Sequence, residues 1–254
     1  MLLRRYLEHV REQNWFAVAI DFLIVVFGVY IGLQTQEWSA QRDVDALEAQ
    51  YMTELKEEMS RNKMLTSGTV KTMGSVVASG KRAVKFMRSD GQCDKDCWRL
   101  LVDFFIASQV IRPAYFTTVY EEAQRLGFPR SSKVGSSIDA YYTQLTTAAV
   151  GIDNDPKYRV SLRELLPVEA HEQLWPNCHK VLGAVEIVIA DCPAAMPTEE
   201  VNAILKRIHS RREILGQLDY WIGMHALWTP YLSLLPPLAE EAINAVTEWS
   251  MTRS

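Results

Sequence analysis

Residues 15–33 read WFAVAIDFLIVVFGVYIGL, and Asp21 is the single charge among them. At a rise of about 1.5 Å per residue, nineteen helical residues span roughly 28 Å, close to the hydrocarbon thickness of a bilayer. Twelve of the nineteen are Val, Ile, Leu or Phe. At about −0.3 to −0.6 kcal/mol each, they favour insertion by roughly 4–7 kcal/mol. One Asp costs about 3 kcal/mol at the bilayer centre and less toward its edge, where Asp21 lies. Insertion wins. Trp15 and Trp38 flank the run and suit the two interfaces. A buried core helix of a soluble domain is the competing reading, but so long an apolar run is unusual there. A signal peptide fits less well, because the apolar stretch is long and no small-x-small cleavage site follows it.

The flanks give an orientation. Arg4, Arg5 and Arg11 precede the helix, whereas Arg42 stands alone among Glu37, Asp43, Asp45 and Glu48 just after it. The positive-inside rule then expects a cytoplasmic N-terminus. It expects the rest of the chain on the far side, which is the periplasm if the membrane is a bacterial inner membrane. Leu3, Tyr6, Leu7 and Val10 recur at helical spacing, so residues 1–14 read either as an amphipathic segment on the cytoplasmic surface or as an extension of the membrane helix.

All four cysteines, Cys93, Cys97, Cys178 and Cys192, lie beyond the apolar run. An even count on an oxidising side suggests disulfides, and the local pairings Cys93–Cys97 and Cys178–Cys192 are favoured over the other two connectivities. A metal site with His179 is the rival. It is disfavoured because Cys178 and Cys192 are too far apart in sequence to form a second zinc knuckle.

Downstream, the sequence predicts helices almost throughout. Val44, Leu47, Tyr51, Leu55 and Met59 step by three or four, and Val70, Met73, Val77, Val84 and Met87 continue the stripe loosely. The expectation is a long helical connector over residues 34–88, bent or broken near residues 66–68, followed by a helical domain over residues 89–254. Within that domain, helices are expected over residues 94–109 and 117–126, and another from Ser131 or Ser132. One long amphipathic helix is expected from Thr198 to about His225, and a last one over residues 238–251. Residues 185–190 could be a strand or a buried helical turn. Strand signals are scarce, so the expected fold class is all-α: one N-terminal transmembrane helix, a connecting helix and an extracytoplasmic helical bundle.

The segment from Asp21 onward has a recognisable order. An acid is followed seven residues later by Gly28, then Ile31, Leu33-Gln34, Trp38, Arg42, Tyr51 and Leu55. Over about residues 21–58 this resembles a broad family of uncharacterised bacterial proteins with one N-terminal membrane helix and a helical extracytoplasmic region. Those proteins more often carry Glu where this chain has Asp21. The resemblance implies the topology and no activity.

Function is sparsely encoded. The net charge of −4 and pI near 5.8 argue against a nucleic-acid partner. There is no H-E-x-x-H, no G-x-S-x-G and no phosphate-binding glycine loop. No cofactor or metal is implied. The sharpest candidate is one face of the membrane helix. Asp21, Val25, Gly28 and Gly32 fall together, with Gly28 and Gly32 forming the G-x-x-x-G step that permits close helix approach. The expected role is a non-catalytic, membrane-anchored interaction protein. It would be a scaffold or accessory subunit of an inner-membrane assembly, whose partners are the lipid bilayer and another membrane subunit or a second copy of itself. An envelope sensor or ligand binder acting through a partner is the alternative. An extracytoplasmic enzyme built from residues such as His171, His179 and Asp191 ranks third. His225, beside Trp221 and Trp228, reads as a core histidine. Lys206, Arg207, Arg211 and Arg212 read as a solvated basic face. Trp221, Trp228 and Tyr231 read as core residues or, less favoured, the lining of an apolar pocket.

Overall fold

The computed structural model describes residues 15–150 and 157–253. The expectations for residues 1–14, including Arg4, Arg5 and Arg11 as interface anchors, lie outside the described residues. So does the side chain of Trp15. The chain is mostly helical and divides into two compact units, Met1–Gln50 and Tyr51–Ser254.

Helix α1 runs from Trp15 to Met87. It is followed by α2 (Cys97–Ala107), α3 (Thr118–Arg125), α4 (Ser132–Val150), α5 (Lys157–Arg163) and α6 (Val168–Cys178). A hairpin of β1 (His179–Leu182) and β2 (Val185–Val188) comes next. The chain closes with α7 (Thr198–Ser210), α8 (Glu213–Ser233) and α9 (Leu235–Met251). In the second unit α9 packs along α4, α7 along α2, and α8 against α5 and α4.

The part of α1 beyond Tyr51 is core. Met52, Met59, Thr66, Met73, Gly80 and Met87 are buried at seven-residue intervals, as are Leu55, Asn62, Thr69, Val76 and Ala83. This is a seven-residue repeat with two inward positions per repeat, the pattern by which a helix keeps one seam against its neighbours. Polar residues occupy that seam in the middle, and Asn62 and Thr66 there, with Thr72 beside them, have partners. Asn62 donates from Nδ2 to the Phe116 carbonyl at 2.7 Å and accepts the Phe116 N–H at 2.9 Å. The Thr66 hydroxyl donates to the Asn62 carbonyl, and that of Thr72 donates to the Glu186 carbonyl.

Three expectations are corrected. First, α1 is not broken near residues 66–68. The glycines there are places of close approach: a Cβ on Gly68 would collide with Val185, and one on Gly80 with Ile222. Those side chains pack directly on the helix backbone, and that packing outweighs the propensity cost of about 1 kcal/mol per glycine.

Second, the described residues are mostly helical, as the all-α class expects, but one small sheet interrupts them, and the strand alternative for residues 185–190 is the one found, at Val185–Val188. Residues 179–188 form an antiparallel hairpin that turns at Gly183, with φ of +62°. An isolated two-stranded hairpin is marginal in water. This one is closed at its base by Cys178–Cys192 and held to α1 through Thr72 and Val185.

Third, the long helix expected from Thr198 to His225 is two helices, parted at Arg211–Arg212. The break lets the Arg212 guanidinium donate to the carbonyl of Met87 at 2.8 Å. Meanwhile His209 Nε2 donates to the carbonyl of Ser89 at 3.1 Å. Carbonyls at a helix C-terminus have no partner within the helix, and these two side chains supply donors there.

Candidate interaction surfaces

The membrane-length segment comes first in the chain. Within the described residues, α1 is the one helix long and apolar enough to cross a bilayer, and none of its apolar window is buried by the chain itself. Phe16, Phe22, Ile24, Val25 and Phe27 are among its large exposed side chains. At 3.6 residues per turn, Asp21, Val25, Gly28 and Gly32 fall within an arc of about 60°. Among the described residues, and apart from the helix's own backbone, nothing lies within 4 Å of where a Cβ on Gly28 or Gly32 would sit. The arc is an acid, a β-branched residue and two open glycine notches. Below it, Arg42 places its guanidinium over the Trp38 ring at 4.8 Å.

In the second unit the cysteines form two pairs at disulfide distance, Cys93–Cys97 and Cys178–Cys192, with Cα separations of 5.7 and 5.2 Å. Trp98 Nε1 donates to the Cys192 carbonyl at 3.1 Å. Nearby, Arg82 forks onto both oxygens of buried Asp103 at 2.7 and 2.6 Å. Its guanidinium pKa is held above the ordinary value by that hydrogen-bonded carboxylate. Arg99 reaches Asp103 and also Asp191. One chain of charges thus joins α1, α2 and the segment leading to Cys192.

A second polar knot centres on Glu58, which is 1% exposed. Its carboxylate accepts the N–H groups of Val119 at 3.0 Å and Tyr120 at 3.3 Å, and the Tyr142 hydroxyl at 2.6 Å. Val119 and Tyr120 stand in the first turn of α3, and the residue before that helix, Thr117, makes no side-chain cap. Glu58 therefore caps α3 from another helix, with its negative charge at the positive end of the dipole. The Tyr120 and Tyr142 rings stack at 3.9 Å. Burial, followed by the bond to Asp139, pushes the Tyr120 hydroxyl up to about 12.

The other residues singled out in the sequence do not converge. His171 Nε2 donates to the Arg163 carbonyl, His179 meets Glu186 at 3.2 Å, and Asp191 pairs with Arg99. Each serves a different local contact. Among the described residues, no group of three or more His, Cys, Asp or Glu could hold a metal ion. The basic run is largely committed within the chain. Arg207 donates to the Leu165 carbonyl, Arg211 pairs with Glu213, and Arg212 caps α1. Trp221 is buried, with Nε1 on the Ala107 carbonyl at 2.8 Å, while Tyr231 is exposed. An open cleft of about 400 Å³ lies elsewhere, lined by Lys81, Val84, Lys85, Arg88, Asp219 and Ile222. Its sequence signal is the spacing Lys81-x₃-Lys85-x₂-Arg88 on one face of α1.

His225 is 5% exposed, and its Nδ1–H donates to the Trp221 carbonyl at 3.1 Å. Burial lowers its pKa to about 4 from 6.5. The unfolded chain therefore binds the proton more readily than the folded one. The neutral imidazole's contribution is complete above about pH 6.5 and is lost as pH falls toward and through 4. At about 1.4 kcal/mol per pH unit, up to roughly 3 kcal/mol is lost on that descent. His225→Gln should flatten the acid limb of a stability-against-pH curve between pH 6.5 and 4. An unchanged limb would contradict the assignment.

Comparison with protein-family models, with curated proteins and with solved structures finds no match for this chain.

Proposed function

We propose that this chain is a membrane-anchored interaction protein, a scaffold or accessory subunit of a bacterial inner-membrane assembly. Residues 15–33 cross the bilayer. The arginine-rich N-terminus stays in the cytoplasm, and the disulfide-bearing unit lies in the periplasm. The resemblance over residues 21–58 agrees with that topology.

One observation carries the reading. A membrane-length helix has a polar, glycine-notched arc that the described residues leave uncovered. Leu-like side chains are already satisfied by lipid, so they give no reason for helices to associate. Small residues that let backbones approach do give one, as does an acid that needs a partner. The arc of Asp21, Val25, Gly28 and Gly32 therefore packs against another membrane helix, either a second copy or a different subunit.

Replacing Asp21→Leu together with Gly28→Leu should abolish the product formed when intact membranes are treated with a crosslinker. Anchoring should be retained, because both changes increase apolarity. Unchanged crosslinking by the double variant would refute the reading.

A further inference from the structure

We propose that the outward face of α8 is a self-association surface, at which two copies of this chain pack against each other. The proposal rests on the arc reading above and takes its second-copy form, in which Asp21, Val25, Gly28 and Gly32 pair two copies in the membrane.

Tyr220, Leu227 and, at the C-cap of α8, Leu234 follow one another at seven-residue intervals and are 68%, 52% and 52% exposed. Tyr231, 47% exposed, lies beside them. Gly216 and Gly223 are also seven apart on the same stripe, and a Cβ on either would meet nothing within 4 Å. Large residues and glycines thus alternate in steps of three and four. That is the arrangement in which the knobs of one helix find the notches of an identical one. The opposite side of α8 fills the core with Ile214, Leu218, Trp221 and Ile222.

Charge and size decide what covers it. No charged residue occurs from Tyr220 to Ala239, and the two acids at the start of the helix, Glu213 and Asp219, are paired within the chain with Arg211 and Arg88, so an acidic or basic partner finds no free complement along the seam. Two identical copies meet there without like-charge repulsion. The four exposed side chains present on the order of 400 Å². A free-standing stable interface needs about 800 Å² per partner. A freely diffusing protein would not be held by so small a face. A second copy already tethered in the same membrane is present at an effective concentration on the order of millimolar, where a weak face is enough.

The test uses the full chain in native membranes, with the photoreactive residue benzoylphenylalanine replacing Leu227, or Val25, or Val160 in separate variants. Val160 is 59% exposed on α5 and serves as the collision control. Chain-to-chain products are expected from positions 227 and 25 and not from 160. Adding Asp21→Leu and Gly28→Leu should reduce the product at 227 at least ten-fold. A product at 25 with none at 227 overturns the α8 contact and leaves the membrane reading intact. A product at 227 joined to a different protein, or equal yields at 227 and 160, also overturns it. Absence of product at both 25 and 227 overturns both readings.

Discussion

Glu58→Ala is expected to remove about 3–5 kcal/mol of folding stability, the range for deleting one member of a buried, charge-assisted set. Three donors lose their acceptor at once: the N–H groups of Val119 and Tyr120 and the hydroxyl of Tyr142. None gains a replacement within the chain, because Thr117 does not cap α3. With a urea slope of about 2 kcal/mol/M, the midpoint should fall by roughly 1.5–2.5 M. Tyr142→Phe removes a single donor and should cost far less. The double variant should fall no further than Glu58→Ala alone, because the two losses share one contact. A midpoint within about 0.3 M of the native protein for Glu58→Ala would contradict this account of how α1 holds α3.

The second large effect belongs to Cys178–Cys192. The bond spans a sequence separation of 14 and encloses the hairpin. Closing a loop of that size stabilises by about 3 kcal/mol in the chain-entropy model. Both sulfur-bearing residues are buried, so the double substitution Cys178→Ala, Cys192→Ala leaves no exposed thiol and isolates the crosslink. The variant should unfold at a urea midpoint about 1.5 M lower than the native protein. Reductant should lower the native midpoint by a similar amount and leave the variant unchanged, apart from the smaller effect of opening Cys93–Cys97. Equal midpoints for native and variant protein would show that α1 and Trp98 hold the hairpin without the bond.

Much of the fold is legible because its main elements are long and periodic. The apolar run before Leu33 and the stripe Tyr51, Leu55, Met59 announce α1, and Gly127 marks the residues just after α3. The failures share a cause, which is that tertiary contacts override local propensity. Asn62, Thr66, Thr69 and Thr72 interrupt the hydrophobic stripe of α1, yet all are buried. Asn62 binds the backbone of Phe116, and Thr72 binds that of Glu186. A periodicity count scores such positions as solvent-facing and places a break where the structure has a packed seam. Gly68 and Gly80 lower helix propensity locally, and their value lies in close packing with Val185 and Ile222, far off in sequence. The break before α8 was hidden because a run of basic residues resembles a solvated helix face. Only the fold brings Arg212 to the end of α1.

The candidate surfaces divide along the same line. The arc of the membrane helix is readable from spacing alone, since residues 21, 25, 28 and 32 share a face of any helix. The cap by Glu58 and the outward seam of α8 were not readable. Both depend on which side of a helix the rest of the chain covers. Tyr220 and Trp221 are adjacent in sequence, and the structure exposes one and buries the other.

Protease added to intact spheroplasts of cells carrying the full chain, tagged at its C-terminus, tests the membrane anchoring and orientation most directly. The tag should be lost without lysis while an N-terminal fragment stays with the membrane. A tag that survives in intact spheroplasts and is digested only after lysis would contradict it.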